Sequence, residues 1–164
     1  MTIFHIALIS SAFLCSLVAG FLFAYAIVVM PGIKNLNDRE FIRAFQVTDR
    51  IIQNNNPIFI LVWVGSAVAV IVSSFYGVGS LQGIDLFLLA LASLAYILGV
   101  QMPTIAINLP LNNKLQKIDV DVLNETDIKK ARNDFELRWN TSNVIRTAIA
   151  SCVSILLIIL LIRQ

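Results

Sequence analysis

The chain is short of charge. Only 13% of its 164 residues are Asp, Glu, Lys or Arg, and 58% are hydrophobic. A soluble domain usually carries roughly a quarter charged residues. Histidine is scarcer still. His5 is the single one, so a histidine-rich iron or copper site cannot be built, and His5 itself reads as an outer-interface residue. The two cysteines, Cys15 and Cys152, are far apart and do not form the C-x-x-C pair that a thiol-redox membrane enzyme would want. Each reads as a small buried hydrophobe near mid-membrane. There is no glycine-rich phosphate loop and no pair of carboxylates inside an apolar run. Basic residues are interleaved with acids and form no stripe, so nucleic acid is not an expected partner. These absences predict a protein with no metal and no cofactor.

What the chain has in quantity is long apolar runs: Ile6–Val29, Ile58–Phe75, Leu86–Ile107 and Val144–Ile162. Arg146 is the only charged residue in the four. A membrane-spanning helix needs roughly 20 apolar residues. Barrel strands would be shorter and would alternate. The pattern predicts an all-α fold: a four-helix transmembrane bundle with short amphipathic interfacial helices on the cytoplasmic side. It reads as one four-span domain over residues 1–164. The first run should be a retained helix, because MTIFH before it has no Lys or Arg and the run exceeds a signal-peptide core. Lys and Arg crowd the first and third connections and avoid the second. The positive-inside rule then puts those two connections in the cytoplasm and both termini outside. With no other targeting signal, a bacterial inner membrane is the default location, with membrane lipid as a partner.

Punctuation suggests the details. Met30–Gly32 (MPG) should end the first helix. Asp38–Gln53 reads as an amphipathic helix, with Phe41, Phe45 and Ile52 on one face, Ile42 nearby, and Arg39, Arg43, Asp49 and Arg50 elsewhere; such a helix can lie in the interface plane. Asn56 and Pro57 should start the next helix, and Pro103 should kink the third span. In the third connection, Asn124 can cap a helix in which Ile128, Ala131, Phe135 and Trp139 form a stripe. Nothing breaks it before the fourth span, which predicts one long helix.

Two polar clusters are candidates for a site. NLPLNNKL (108–115) brings Asn108, Asn112 and Asn113 around Pro110. Each Asn side chain offers two donors and an acceptor, although the same residues also make a turn. RWNTSNVIRT (138–147) places Trp139, Asn143 and Arg146 at i, i+4 and i+7, on one helical face. Arg146 lies inside an apolar run. An intramembrane arginine faces protein or a watery cavity, or snorkels to the headgroups. Asn108 ends one span and Asn143 begins the next on the same membrane side, and Gln101 sits at similar depth. These residues should line a polar pocket in an apolar bundle.

"FAYAIVVMPG" (23–32), "AFQVTDRIIQNNNPIF" (44–59), "NLPLNNKL" and "RWNTSNVIRT" together resemble the anthrone-oxygenase-like membrane proteins. The resemblance runs over nearly the whole chain and is sharpest at PLNN and at W-N-x-x-N-x-x-R. It falls on Pro110, Asn112, Asn113, Trp139, Asn140, Asn143 and Arg146. It implies oxidation of an anthrone to an anthraquinone, as in fungal polyketide pathways.

Two readings remain open on the sequence. In the first, the chain is a cofactor-independent oxygenase for a flat apolar phenol such as an anthrone. Fixed donors would stabilise a developing oxyanion. Arg146 and Asn143 are the candidate catalytic residues, and Asn108, Asn112, Asn113, Trp139, Asn140 and Gln101 the candidate substrate-binding ones. No carboxylate within a span offers itself as the base, and Asp49 is the nearest alternative. In the second, the protein is non-catalytic and binds a lipid or quinone-like molecule, or stabilises a larger complex. A transporter is a weaker third reading, since one intramembrane charge gives little coupling machinery.

Overall fold

The structure is a computed structural model that describes residues 2–164. Among the described residues there are five helices and no strand. They are α1 (Ile3–Ile33), α2 (Asp38–Gln53), α3 (Pro57–Val78), α4 (Gly83–Gln116) and α5 (Glu125–Arg163). All but α2 are long and apolar enough to cross a membrane. The chain is a multi-pass membrane protein. The N-caps follow the expected chemistry. Asn56 Oδ1 accepts from the amides of Ile58 and Phe59 at 3.0 and 3.1 Å, and Asn124 Oδ1 accepts from Asp127 N at 2.9 Å. As expected, α5 is one unbroken helix of 39 residues.

The apolar runs understate the helices. MPG does not end α1, NLPLNNKL is not a turn, and α4 continues through both Pro103 and Pro110 to Gln116. The reason is local. Three π-helical segments interrupt the α-helices, at Tyr25–Val29, Ile97–Gln101 and Thr104–Asn108. Each ends two residues before a proline: Pro31, Pro103 and Pro110. A proline lacks the N–H of the usual i→i−4 bond, and its ring crowds the i−4 carbonyl. A wider π turn just ahead moves that carbonyl away, so the helix continues instead of breaking.

In the bundle, α1 packs against both α3 and α5. Its buried residues, among them Leu8, Cys15, Val18 and Leu22, join Val70, Tyr96, Val153 and Leu157 in one core. Hydroxyls stitch the helices across the apolar interior. Ser11 and Ser73 share a bond of 2.9 Å, Ser66 and Tyr96 one of 2.6 Å, and Ser74 donates to Ser93 at 2.7 Å. Such bonds hold helices together where the surrounding lipid supplies no hydrophobic drive. Cys152, unlike Cys15, is exposed. It sits on the outer face of α5, so the expectation of two buried thiols holds for one.

Helix α2 does not lie free in the interface plane. Its apolar face packs into a second core of Phe41, Ile42, Phe45, Leu111, Leu115, Ile128, Phe135 and Trp139, built from the ends of α4 and α5. Asp49 is on that buried face, not on the polar one; it follows Phe45 by four residues and so sits one turn above it. Ion pairs fix the docking. Arg132 binds Asp38 at 3.0 Å, Glu136 at 2.7 Å and the carbonyls of Lys34 and Leu36. Its guanidinium lies 4.3 Å over the Phe41 ring. Arg39 pairs with Glu125, and Arg43 with Asp121.

Candidate functional site

Where the π segments of α4 face α3 and α5, the bundle holds a cavity of about 390 Å³. Its apolar walls include Phe21, Leu22, Phe59 and Trp63, and its polar groups are concentrated on α2, α4 and α5. The size and the balance of apolar walls with a few polar groups suit a small-molecule site. π segments widen the helix where they occur and are often found at such sites.

The polar end is a chain of hydrogen bonds. Trp139 Nε1 donates to Asn112 Oδ1 at 2.8 Å, and Asn112 Nδ2 donates to Asp49 Oδ1 at 2.7 Å. Gln116 and Gln53 donate to Asp49 Oδ2 at 2.9 and 3.2 Å. Asp49 is only 2% exposed. A carboxylate offers about four lone-pair sites over its two oxygens. Three amides are bound here, two on Oδ2 and one on Oδ1, so Oδ1 keeps a free site.

Deeper in the bundle is Arg146, 3% exposed. Its Nη1 donates to Thr104 Oγ1 at 2.8 Å and its Nη2 to Asn143 Oδ1 at 3.1 Å. Asn143 is anchored in turn by a bond from Nδ2 to the carbonyl of Leu22 at 3.1 Å. Asn108 is held between Ser142, which donates to its Oδ1 at 2.6 Å, and the Trp139 carbonyl. Two buried donors find no acceptor among the described residues, Arg146 Nε and Gln101 Nε2. Both belong to residues of the cavity wall. A buried unpaired N–H costs about 1–3 kcal/mol, which a bound acceptor removes. Among the described residues Arg146 also forms no ion pair. It faces the protein interior and does not snorkel.

Of the residues singled out in the sequence, Gln101, Asn108, Asn112, Trp139, Asn143 and Arg146 all line this cavity. Asn113 and Asn140 do not. Because NLPLNNKL is helical, consecutive residues point about 100° apart, and only one of Asn112 and Asn113 can face inward. Asn113 is exposed and accepts from Gln53 at 2.9 Å. Asn140, next to Trp139, turns instead toward α1 and lines a separate cleft with Met30, Pro31 and Lys34. The sequence reading passed over Thr104, Tyr25, Phe59 and Trp63. It named Asp49 only as a possible base, on the wrong face of its helix. The Phe45–Asp49 spacing was the signal that could have placed it.

Among the described residues no group of three His, Cys, Asp or Glu side chains comes together in a way that could hold a metal ion. Residues 45–156 match the family model described as Anthrone oxygenase. The chain belongs to that family. The anthrone oxygenase match takes in Asp49, the π segments of α4, and α5 through Arg146 to residue 156, so it covers the polar residues that α2, α4 and α5 bring to the cavity and leaves out Tyr25 of α1. Of the four stretches that carry the resemblance, FAYAIVVMPG falls outside the match and AFQVTDRIIQNNNPIF begins one residue ahead of it. No curated protein and no solved structure matches the chain.

Proposed function

We propose that the protein oxidises a flat, apolar, anthrone-like phenol with molecular oxygen, and that its own residues suffice without a metal or organic cofactor. The observation that supports this reading most is the pairing, on one cavity, of a buried carboxylate with a free lone-pair site and a buried guanidinium with a free N–H. Family membership gives the substrate class its weight.

The chemistry divides between the two ends. Asp49 Oδ1 is positioned to take a proton from the acidic CH₂ of the anthrone. The negative charge that develops spreads onto the ring oxygen. Arg146, with Gln101 and Asn143 beside it, supplies donors for that oxygen. Fixed donors in a water-poor site need no reorganisation as charge appears, which is how they lower a barrier. The carbanion passes electrons to O₂ and joins it at carbon as a peroxide. Loss of water then leaves the second quinone carbonyl. CH₂ and O₂ become C=O and H₂O, so the substrate supplies all four electrons and no other reductant is needed. Trp139 and Asn112 hold Asp49 in place, and the aromatic walls fit a planar ring.

The test is turnover of 1,8-dihydroxyanthrone by purified protein treated with chelator. Activity under air, lost under nitrogen, is expected. Activity that returns only when a metal is added back contradicts the cofactor-free mechanism. A second reading has one observation in its favour. Three amide bonds on Asp49 are also what a purely structural carboxylate would have, in which case the cavity would bind a quinone or lipid without converting it.

We also propose that the α2 end of the bundle faces the cytoplasm, in a bacterial inner membrane, with both termini outside. The excess of Lys and Arg at that end supports it. Reporter fusions at Gln164 and near Asn124 test it, and an exported Asn124 fusion reverses the orientation.

A further inference from the structure

We propose that the cavity takes its ligand sideways out of the bilayer, through a gap between α3 and α4, and that the ligand is a membrane-dissolved aromatic rather than a water-soluble one. The aromatic part of this statement rests on the functional reading above. The route does not.

The cavity wall includes three apolar residues that are exposed: Val64 at 53% on α3, and Ile105 at 64% and Leu109 at 42% on α4. Val64 lies seven residues into α3, about 10 Å along the helix. At that depth an exposed side chain meets hydrocarbon, not water. The gap is there because α3 and α4 are fastened only beyond it. Their hydrogen bonds are Ser66–Tyr96 and Ser74–Ser93. Near the turn that joins α3 to α4 (79–82), Gly77 brings the two helices so close that a Cβ there would come within 2.2 Å of Leu89. Past Tyr96, α4 enters its π segments and the cavity opens.

The other approaches are obstructed. On the side away from the α3–α4 turn, α2 covers the cavity with Phe45, Asp49 and Ile52. It is held down by Arg132, Arg39 and Arg43 through the ion pairs already described. Between α1 and α3 runs a second groove of about 550 Å³. It shares Phe21, Tyr25, Ile52, Phe59 and Trp63 with the cavity wall. The Phe59 and Trp63 rings stack at 5.5 Å, and Phe21 meets Phe59 edge-on at 5.4 Å. Those rings form the wall between the two spaces. The α3–α4 gap is the side left open, and it admits only what partitions into hydrocarbon.

The experiment uses intrinsic fluorescence. The chain has two tryptophans, Trp63 and Trp139, and both line the cavity. In a Trp63→Phe background, Trp139 alone reports the site. Proteoliposomes are mixed with 1,8-dihydroxyanthraquinone, which binds without turning over, and quenching is followed by stopped flow. Val64→Phe with Ile105→Phe narrows the gap and should slow quenching about tenfold, with the final amplitude kept. Val62→Phe, in the second groove, should leave the rate unchanged. Equal rates in the narrowed and parent proteins overturn the proposal, and so does a slowing confined to Val62→Phe. If the double variant does not insert, the Trp63→Phe protein is reconstituted in lipids brominated on the acyl chain. Quenching of Trp139 by the bromines, relieved by Ile105→Phe alone, supports the route, and its absence overturns it. Binding is read without turnover, so an inactive protein that still binds slowly through a narrowed gap sinks the oxygenase reading and leaves this one standing.

Discussion

Asp49 and Arg146 line one cavity as opposite charges that do not pair with each other. Amides hold the first: Asn112, Gln116 and Gln53. Thr104 and Asn143 hold the second. An ion pair would spend both groups on each other. Kept apart, they leave an acceptor at one end of the cavity and a donor at the other, which is the arrangement a proton-abstracting oxygenase needs.

Arg146→Ala is expected to lower kcat on 1,8-dihydroxyanthrone about 10²–10³-fold, the usual loss when an oxyanion donor is removed. Arg146→Lys should restore only part of it, because a point charge replaces a planar fork. Steady-state kinetics on protein matched for membrane-inserted amount measures both. Parent-like turnover in the two variants takes Arg146 out of the reaction.

Asp49→Asn is expected to lower kcat about 10²–10⁴-fold, as for a lost general base, with little change in KM. Asp49→Ala should lose stability as well, since the Asn112 amide is then left without its acceptor, at about 1–3 kcal/mol. Thermal unfolding in detergent separates the two effects. If Asp49→Asn keeps its activity, Asp49 is a structural staple between α2 and α4.

Arg132→Ala should free α2 without unfolding the spans. Arg132 bridges two carboxylates and two carbonyls at a nearly buried position, and breaking such a pair costs about 3 kcal/mol. Hydrogen exchange should speed up in Asp38–Gln53 and stay slow in α1, α3 and the C-terminal half of α5. Unchanged exchange in α2 would show that the Phe41, Phe45 and Phe135 packing alone holds it.

Much of this architecture is legible in the residues. The four apolar runs identify the spans, and the i, i+4, i+7 spacing of Trp139, Asn143 and Arg146 identifies the inward face of α5. What misled was proline. Pro31 and Pro110 read as marking helix ends, because one-dimensional rules treat a missing N–H as a break. In the structure each is absorbed by a π turn two residues ahead, so NLPLNNKL is a helix and Asn113 points away from the site. Asp49 was hidden for a different reason. A carboxylate on an amphipathic helix is ordinarily solvated, and only the amides of Asn112, Gln116 and Gln53, brought in from α4 and its own helix, make its burial tolerable. Those partners are set by tertiary packing, which no local pattern carries.

The central claim is that this cavity, through Asp49 and Arg146, passes oxygen from O₂ into an anthrone. The most direct measurement is the initial rate of ¹⁸O incorporation from ¹⁸O₂ into 1,8-dihydroxyanthraquinone in proteoliposomes, set against protein-free liposomes, Asp49→Asn and Arg146→Ala. The account predicts one ¹⁸O per quinone formed, at a rate well above the lipid blank in the parent and near the blank in both variants. A parent rate equal to the blank, or variants as fast as the parent, contradicts it.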